Sequence, residues 1–270
     1  MKFKTLLVVF NIVIILSFLI VFFLPFFILD AQYMQIFWSK NWVFGCFFLC
    51  VVVIINILFF LNWKTLSLLE NEDWPALSQY LEHEVFQKNK FSNRNVRLLI
   101  DSLLLMGEFS TIRTLDETLR KNKTSLAERY RLRFSISAML CGDYEYMNLL
   151  SSMGTKSSAY DKEWLLFFNG LSYQLNKKFD QAADSYLQIL NEAKSALVLV
   201  LSAFLCNSVL AKALPSRQES LTVAALEAQQ LVLSRYNKNK WDRLVSDEKG
   251  EMHIIVLGKM LKDSTTWLFK

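Results

Sequence analysis

Residues 163–194 read EWLLFFNGLSYQLNKKFDQAADSYLQILNEAK, and their spacing predicts two antiparallel helices joined at Lys177-Lys178. Gly170 and Ala182 are small where the helices approach, and Tyr173 and Tyr186 fill the gap beside them. Phe179, which opens the second helix, belongs to a series. Stepping back 35 residues at a time gives Tyr144, Phe109 and Trp74; stepping forward gives Leu214, just before Pro215. The pairs Gly107-Glu108 and Gly142-Asp143 introduce Phe109 and Tyr144 as Lys177-Lys178 introduces Phe179. A fixed period near 35 residues is the signature of a helical-repeat array, in which one helix–turn–helix cannot bury its apolar face alone. Such arrays build surfaces that hold other proteins. The four aromatics are assigned to packing.

The best unit resembles the tetratricopeptide (TPR) repeat family. Gly170, Tyr173, Phe179, Ala182 and Tyr186 carry the resemblance, as G-x2-Y-x5-F-x2-A-x3-Y. The unit departs from the family at Leu166, where a Trp is usual, at Asn169, where a Leu is usual, and at Lys194 in place of a closing Pro. The other units keep the turn and the aromatic but carry Met147 and Ile112 where the best unit has Ala182. The resemblance covers residues 65–236. It implies an α-solenoid whose concave side is lined by the first helix of each unit. The partner-binding candidates are therefore Trp164, Phe167, Leu171 and Gln174, then Arg129 and Arg133, with Arg94 and Arg97 one unit earlier. Arg129 and Arg133 are four residues apart on a helix, so both guanidinium groups can face one carboxylate or phosphate; the alternative is a solvated face paired locally with Glu128. Phe167 and Leu171 differ from the Lys/Asn set with which chaperone-binding members clamp a C-terminal carboxylate. An apolar groove suits a hydrophobic helix, from a partner or from the chain's own residues 253–269.

Only seven glycines and three prolines occur in 270 residues, and no apolar alternation marks a strand, so the chain reads as all-α. Helices are predicted over 62–70, 74–87, 93–106, 109–122, 126–141, 144–153, 159–176, 179–193, 195–213, 216–236 and 247–262. Ser125 with Glu128, and Ser216 with Glu219, have the form of capping boxes. Pro75 falls in a first helical turn.

The first 63 residues differ. No charged residue occurs from 5 to 29 or from 42 to 63, and each run exceeds the roughly 20 residues that cross a bilayer core. The first run is longer than a signal-peptide core and lacks a small-x-small cleavage site, so it reads as a retained anchor. Residues 30–41 are expected to connect two antiparallel spans, with Trp38, Trp42 and Trp63 at the interfaces. Asn11 and Asn56 then share a depth; they either hydrogen-bond each other or satisfy themselves on their own backbone. Lys2 and Lys4 against Asp30 and Lys40 place both termini on the cytoplasmic side of an inner membrane. Cys46, Cys50, Cys141 and Cys206 form no disulfide framework, which suits a reducing compartment. The expected organisation is a transmembrane hairpin (1–63), a repeat array (64–236), and a capping helix with tail (237–270).

Chemistry is sparse. His83 and His253 are the only histidines, and no zinc spacing, P-loop, GxGxxG or GxSxG occurs. Cys46 and Cys50 share a helix face without further soft ligands. The net charge of +5 falls to about +3 outside the membrane segments, mild for a phosphate-tracking surface. These features predict no enzyme, cofactor, metal, small-molecule substrate or nucleic acid. The expected function is a membrane-anchored scaffold for protein partners; the alternative is a small accessory subunit of a transport, secretion or polymer-export complex, in which the hairpin packs against a larger membrane protein.

Overall fold

The computed structural model describes residues 3–28, 31–153 and 159–270, and every regular element among them is helical. Lys2, Leu29 and Asp30, with the side chains of Lys4 and Trp38, lie outside the described residues. The chain divides into two compact units, Met1–Lys88 and Asn89–Lys270.

The first unit contains α1 (Phe3–Ile28), α2 (Ala31–Leu61), α3 (Trp63–Glu70) and α4 (Trp74–Glu82), the last running into a π turn. The stretch expected to link two spans is instead helical from Ala31, because neither Gly nor Pro occurs between it and Asn41. Helices α1 and α2 pack antiparallel. Asn11 meets Asn56, while Phe18 stacks on Phe48 at 4.9 Å between ring centroids. Their outer faces are apolar and exposed, with Ile12, Phe44, Phe47 and Phe60 among the largest side chains. Asp73 caps α4 by accepting from the Ala76 amide at 3.1 Å, and Pro75 sits in the first turn.

Among the described residues, two helices are long and apolar enough to cross a membrane. Ser39–Leu61 has mean hydropathy 2.9 with 6% of its window buried; Ala196–Ala213 has 2.0 with 67% buried. The second is a core helix of its unit, since neighbours on several sides allow it to be apolar nearly all round.

The second unit holds α5 (Asn93–Met106), α6 (Phe109–Asn122), α7 (Thr124–Arg129), α8 (Arg131–Cys141), α9 (Tyr144–Ser152), α10 (Ala159–Leu175), α11 (Phe179–Glu192) and α12 (Ala196–Leu205). After a π turn come α13 (Ala211–Ala213), α14 (Gln218–Arg235), α15 (Lys238–Glu248), α16 (Met252–Val256) and α17 (Gly258–Leu268). Neighbours in sequence pack together: α5 on α6, α8 on α9, α9 on α10, α10 on α11 and α11 on α12. The last two helices fold back, α16 onto α8 and α17 onto α12.

The 35-residue period is written in the backbone. Glu72, Gly107, Gly142 and Lys177, each 35 residues from the next, have φ of 52°, 73°, 79° and 61°. A left-handed residue reverses the chain at a helix end, at some strain where the residue is Glu or Lys. The aromatic that follows each turn, assigned to packing, is half-buried. The core phase lies three residues on: Leu77, Ile112, Met147 and Ala182 are at most 1% exposed. A residue at the first helical position stands at the end of a helix pair, whereas the residue one turn later points between the helices.

Gly170 marks the closest approach of α10 and α11. A Cβ there would stand 2.6 Å from Tyr186 Cε1. Neither capping box forms. α7 begins at Thr124, and Glu128 pairs with Arg131 instead; Ser216 lies in a 3₁₀ turn whose Arg217 reaches back to Asp184 at 2.8 Å. The single helix expected over 247–262 is replaced by parts of three, because Asn237 caps α15 and the run is broken around Gly250.

Candidate partner-binding groove

The apolar face of α10 carries Trp164, Phe167 and Leu171, all buried, the first two completely. Phe167 meets Trp164 edge-on at 5.9 Å and Tyr186 at 5.8 Å. His253 of α16 lies against the Trp164 indole with ring centroids 4.2 Å apart. Three of the expected groove residues are therefore packed within the chain itself. Gln174 accepts a hydrogen bond from the Tyr186 hydroxyl at 3.3 Å.

The arginines do not converge. Arg133 pairs with Asp101 of α5, which Arg97 also approaches at 3.8 Å, while Arg129 donates to Asn93 Oδ1 at 2.9 Å. Burial, with Arg97 close by, pushes the Arg133 guanidinium below its usual pKa, partly offset by Glu251. The pair expected to face one anion is thus split between two internal acceptors. Arg94, Arg97 and Arg129 remain exposed. His253 is pushed down to about 4, first by burial and then by Arg133, so its ring is neutral near pH 7.

Beside this closed stretch, a cleft of about 510 Å³ stays open. Leu171, Gln174, Leu175 and Phe204 line one side; Val256, Leu257, Met260 and Asp263 line the other. It is an apolar slot between helices, with Lys259 and Asp263 supplying charge on its α17 side.

One polar cluster was not foreseen. Asp116 is fully buried on α6; it accepts from Arg120 Nε at 2.8 Å and from the Tyr146 hydroxyl. Arg131, also buried, donates to the Met153 carbonyl at 2.7 Å and pairs with Glu128. Burial and the Asp116 hydrogen bond raise the Tyr146 phenol, so it stays protonated and serves as a donor. The signal in the sequence was an acid in phase with Ile112, Leu115 and Leu119, on the stripe that faces the core. The cluster ties α6 and α8 to α9 and the residue that follows it, although Asp116 Oδ1 and Arg120 Nη2 are buried without a hydrogen-bond partner among the described residues. Among the described residues, no three His, Cys, Asp or Glu side chains gather as a metal site.

Comparison with known proteins adds a family and a relative. The family described as "Uncharacterised Treponema protein" matches residues 111–270, from within α6 to the C-terminus. An "Uncharacterized protein" of Treponema pallidum (strain Nichols) is 27% identical over 242 residues, covering 86% of this chain and 77% of that one. No solved structure matches.

Proposed function

The chain belongs to that family of uncharacterised Treponema proteins, and for it we propose a membrane-anchored scaffold that recruits or organises protein partners through a groove. In this reading α1 and α2 cross the inner membrane as an antiparallel hairpin. Both termini and the second unit are cytoplasmic, and the paired helices form a TPR-like α-solenoid. The observation that carries it is the contrast between two apolar helices of one chain: Ser39–Leu61 is 6% buried, Ala196–Ala213 67%. An apolar helix left bare in water is unfavourable by about 25 cal/mol per Å², so a helix bare over most of its length calls for a hydrocarbon solvent. The recurring left-handed turns support the repeat reading. The open slot beside Leu171 and Gln174 supports an apolar helix as occupant. Anchoring raises the effective concentration of the array near membrane partners. Catalysis, cofactors and nucleic acid have no part in this reading.

A groove on the hairpin favours a second reading, the accessory subunit of a transport, secretion or export complex. Leu7, Val8, Val52, Val53, Ile57 and Phe60 line about 720 Å³ beside the Asn pair, where another membrane helix fits. The test is photo-crosslinking in cells from the full chain, with the probe at Leu175 or Met260 in the slot, or at Val53 or Phe60 on the hairpin. Protein adducts from the slot alone support the scaffold. Adducts from the hairpin alone support the subunit, and none from either site sinks both.

A further inference from the structure

A second cleft lies on the far side of the C-terminal helices, between α15, α16 and α17, with a volume of about 900 Å³. Its floor is apolar: Ile254 and Leu261 are buried, and Ile255 lies 59% exposed. Lys238, Lys249 and Lys262 line it, all exposed, with the hydroxyls of Ser246, Thr265 and Thr266 among them. Asp242 is the single carboxylate on the lining, and Lys238 already engages it at 3.0 Å.

Charge along the chain points to the same place. Residues 64–234 hold 19 basic and 19 acidic residues, whereas 235–270 hold eight basic and five acidic. The helices that build this cleft, with their connections (residues 238–268), hold six basic and five acidic residues, and of those acids only Asp242 lines the cleft. The Lys249 and Lys262 ammonium groups, with the hydroxyls of Ser246 and Thr265, suit a phosphate, and the exposed Ile255 suits alkyl chain; together they describe an amphiphile. The volume lies at the upper end of ordinary ligand sites, enough for a headgroup and the top of its chains. A partner helix would instead call for an elongated groove several turns long, and this lining comes from three short helices.

We propose that this cleft binds an anionic phospholipid, with Lys249 and Lys262 on the phosphate and Ile255 against the acyl chain. The inference rests on the anchoring reading, because the bilayer then supplies the ligand.

The experiment is native mass spectrometry of the full chain released from neutral dodecyl maltoside micelles. The added probes are dihexanoyl phosphatidylglycerol, dihexanoyl phosphatidylcholine, inorganic phosphate and an acidic amphipathic peptide. Phosphatidylglycerol is expected to be retained over phosphatidylcholine, with the preference falling by on the order of 10- to 30-fold in K249Q/K262Q, several-fold per lysine. I255D, with its helical circular dichroism unchanged, is expected to lose both lipids. Equal retention of the two lipids, or a preference untouched by K249Q/K262Q, overturns the proposal. Competition by phosphate as effective as by the lipid would make this a simple anion site, and displacement by the peptide alone a protein-docking site; either also overturns it. Retention in micelles does not depend on the hairpin crossing a bilayer. Alkaline carbonate extraction of membranes tests that separately.

Discussion

Asn11 and Asn56 each donate a side-chain amide hydrogen to the other, at 3.1 and 2.8 Å, and each gives its second hydrogen to its own helix, at Leu7 O and Val52 O. The two arrangements open to these residues are thus both present, since a carboxamide has two donors. In hydrocarbon the pair is expected to contribute about 0.6–2 kcal/mol to helix association. A double-mutant cycle of N11L and N56L, read by detergent titration of the reconstituted chain, should return a coupling in that range; zero coupling would mean the pair is not formed in the bilayer.

Gly170→Ala should destabilise the protein. In an open helix the change stabilises by roughly 0.5–1 kcal/mol. Here the new methyl meets Tyr186 Cε1 at 2.6 Å and Cδ1 at 2.9 Å, and overpacking of this kind costs about 1–3 kcal/mol. Thermal unfolding of the full chain in micelles gives the sign. A raised Tm would show that α10 and α11 are further apart than described.

His253 should make stability fall on acidification. Its folded pKa of about 4 lies below the ordinary 6.5, so between those values the unfolded chain binds a proton that the folded chain does not. This contribution is complete above pH 6.5 and is lost progressively toward pH 4, with a slope of at most about 1.4 kcal/mol per pH unit. The unfolding midpoint of H253L should vary less with pH across that window than that of the unaltered protein.

Asp116→Ala removes a buried carboxylate from Arg120 and Tyr146 and should cost about 3–5 kcal/mol. Asp143→Ala removes an exposed pair with Arg113 at 2.8 Å and the cap of α9, for about 1 kcal/mol. Urea midpoints of the two variants should separate clearly; equal losses would refute a special role for the buried cluster.

Thiol labelling should distinguish the cysteines of the second unit. Cys206 is buried and its thiol is pushed up to about 12 by burial, so it should resist maleimide until the chain unfolds. Cys141 is exposed. Labelling of Cys141 by an impermeant reagent only after the inner membrane is opened would agree with a cytoplasmic second unit; labelling before that would place it on the other side.

What the amino acids disclosed in advance was local. Gly170 against Tyr186, the turn positions 35 residues apart, and the shared depth of Asn11 and Asn56 follow from spacing alone, which a single sequence carries in full. The misses are non-local. Helix α15 (KNKWDRLVSDE) has Trp241 as its one buried residue, so no apolar stripe announced it. Asp116, Arg120 and Arg131 were not singled out, because the Tyr146 hydroxyl and the Met153 carbonyl that bind Asp116 and Arg131 lie 30 and 22 residues away in sequence. Trp164, Phe167 and Leu171 share a face of α10, but a helix face does not say what covers it. His253, set aside as a lone histidine, turned out to be the ring that lies on Trp164.

That contact also orders events in time. Trp164 leaves the ribosome 89 residues ahead of His253, and at roughly 5–20 residues per second the delay is about 4–18 s. Throughout that interval the indole lacks the His253 ring that lies on it in the folded chain. The nascent chain is therefore sticky on the α10 side until α16 emerges. Helix α16 serves as the seal, and a chain cut short before it lacks that contact.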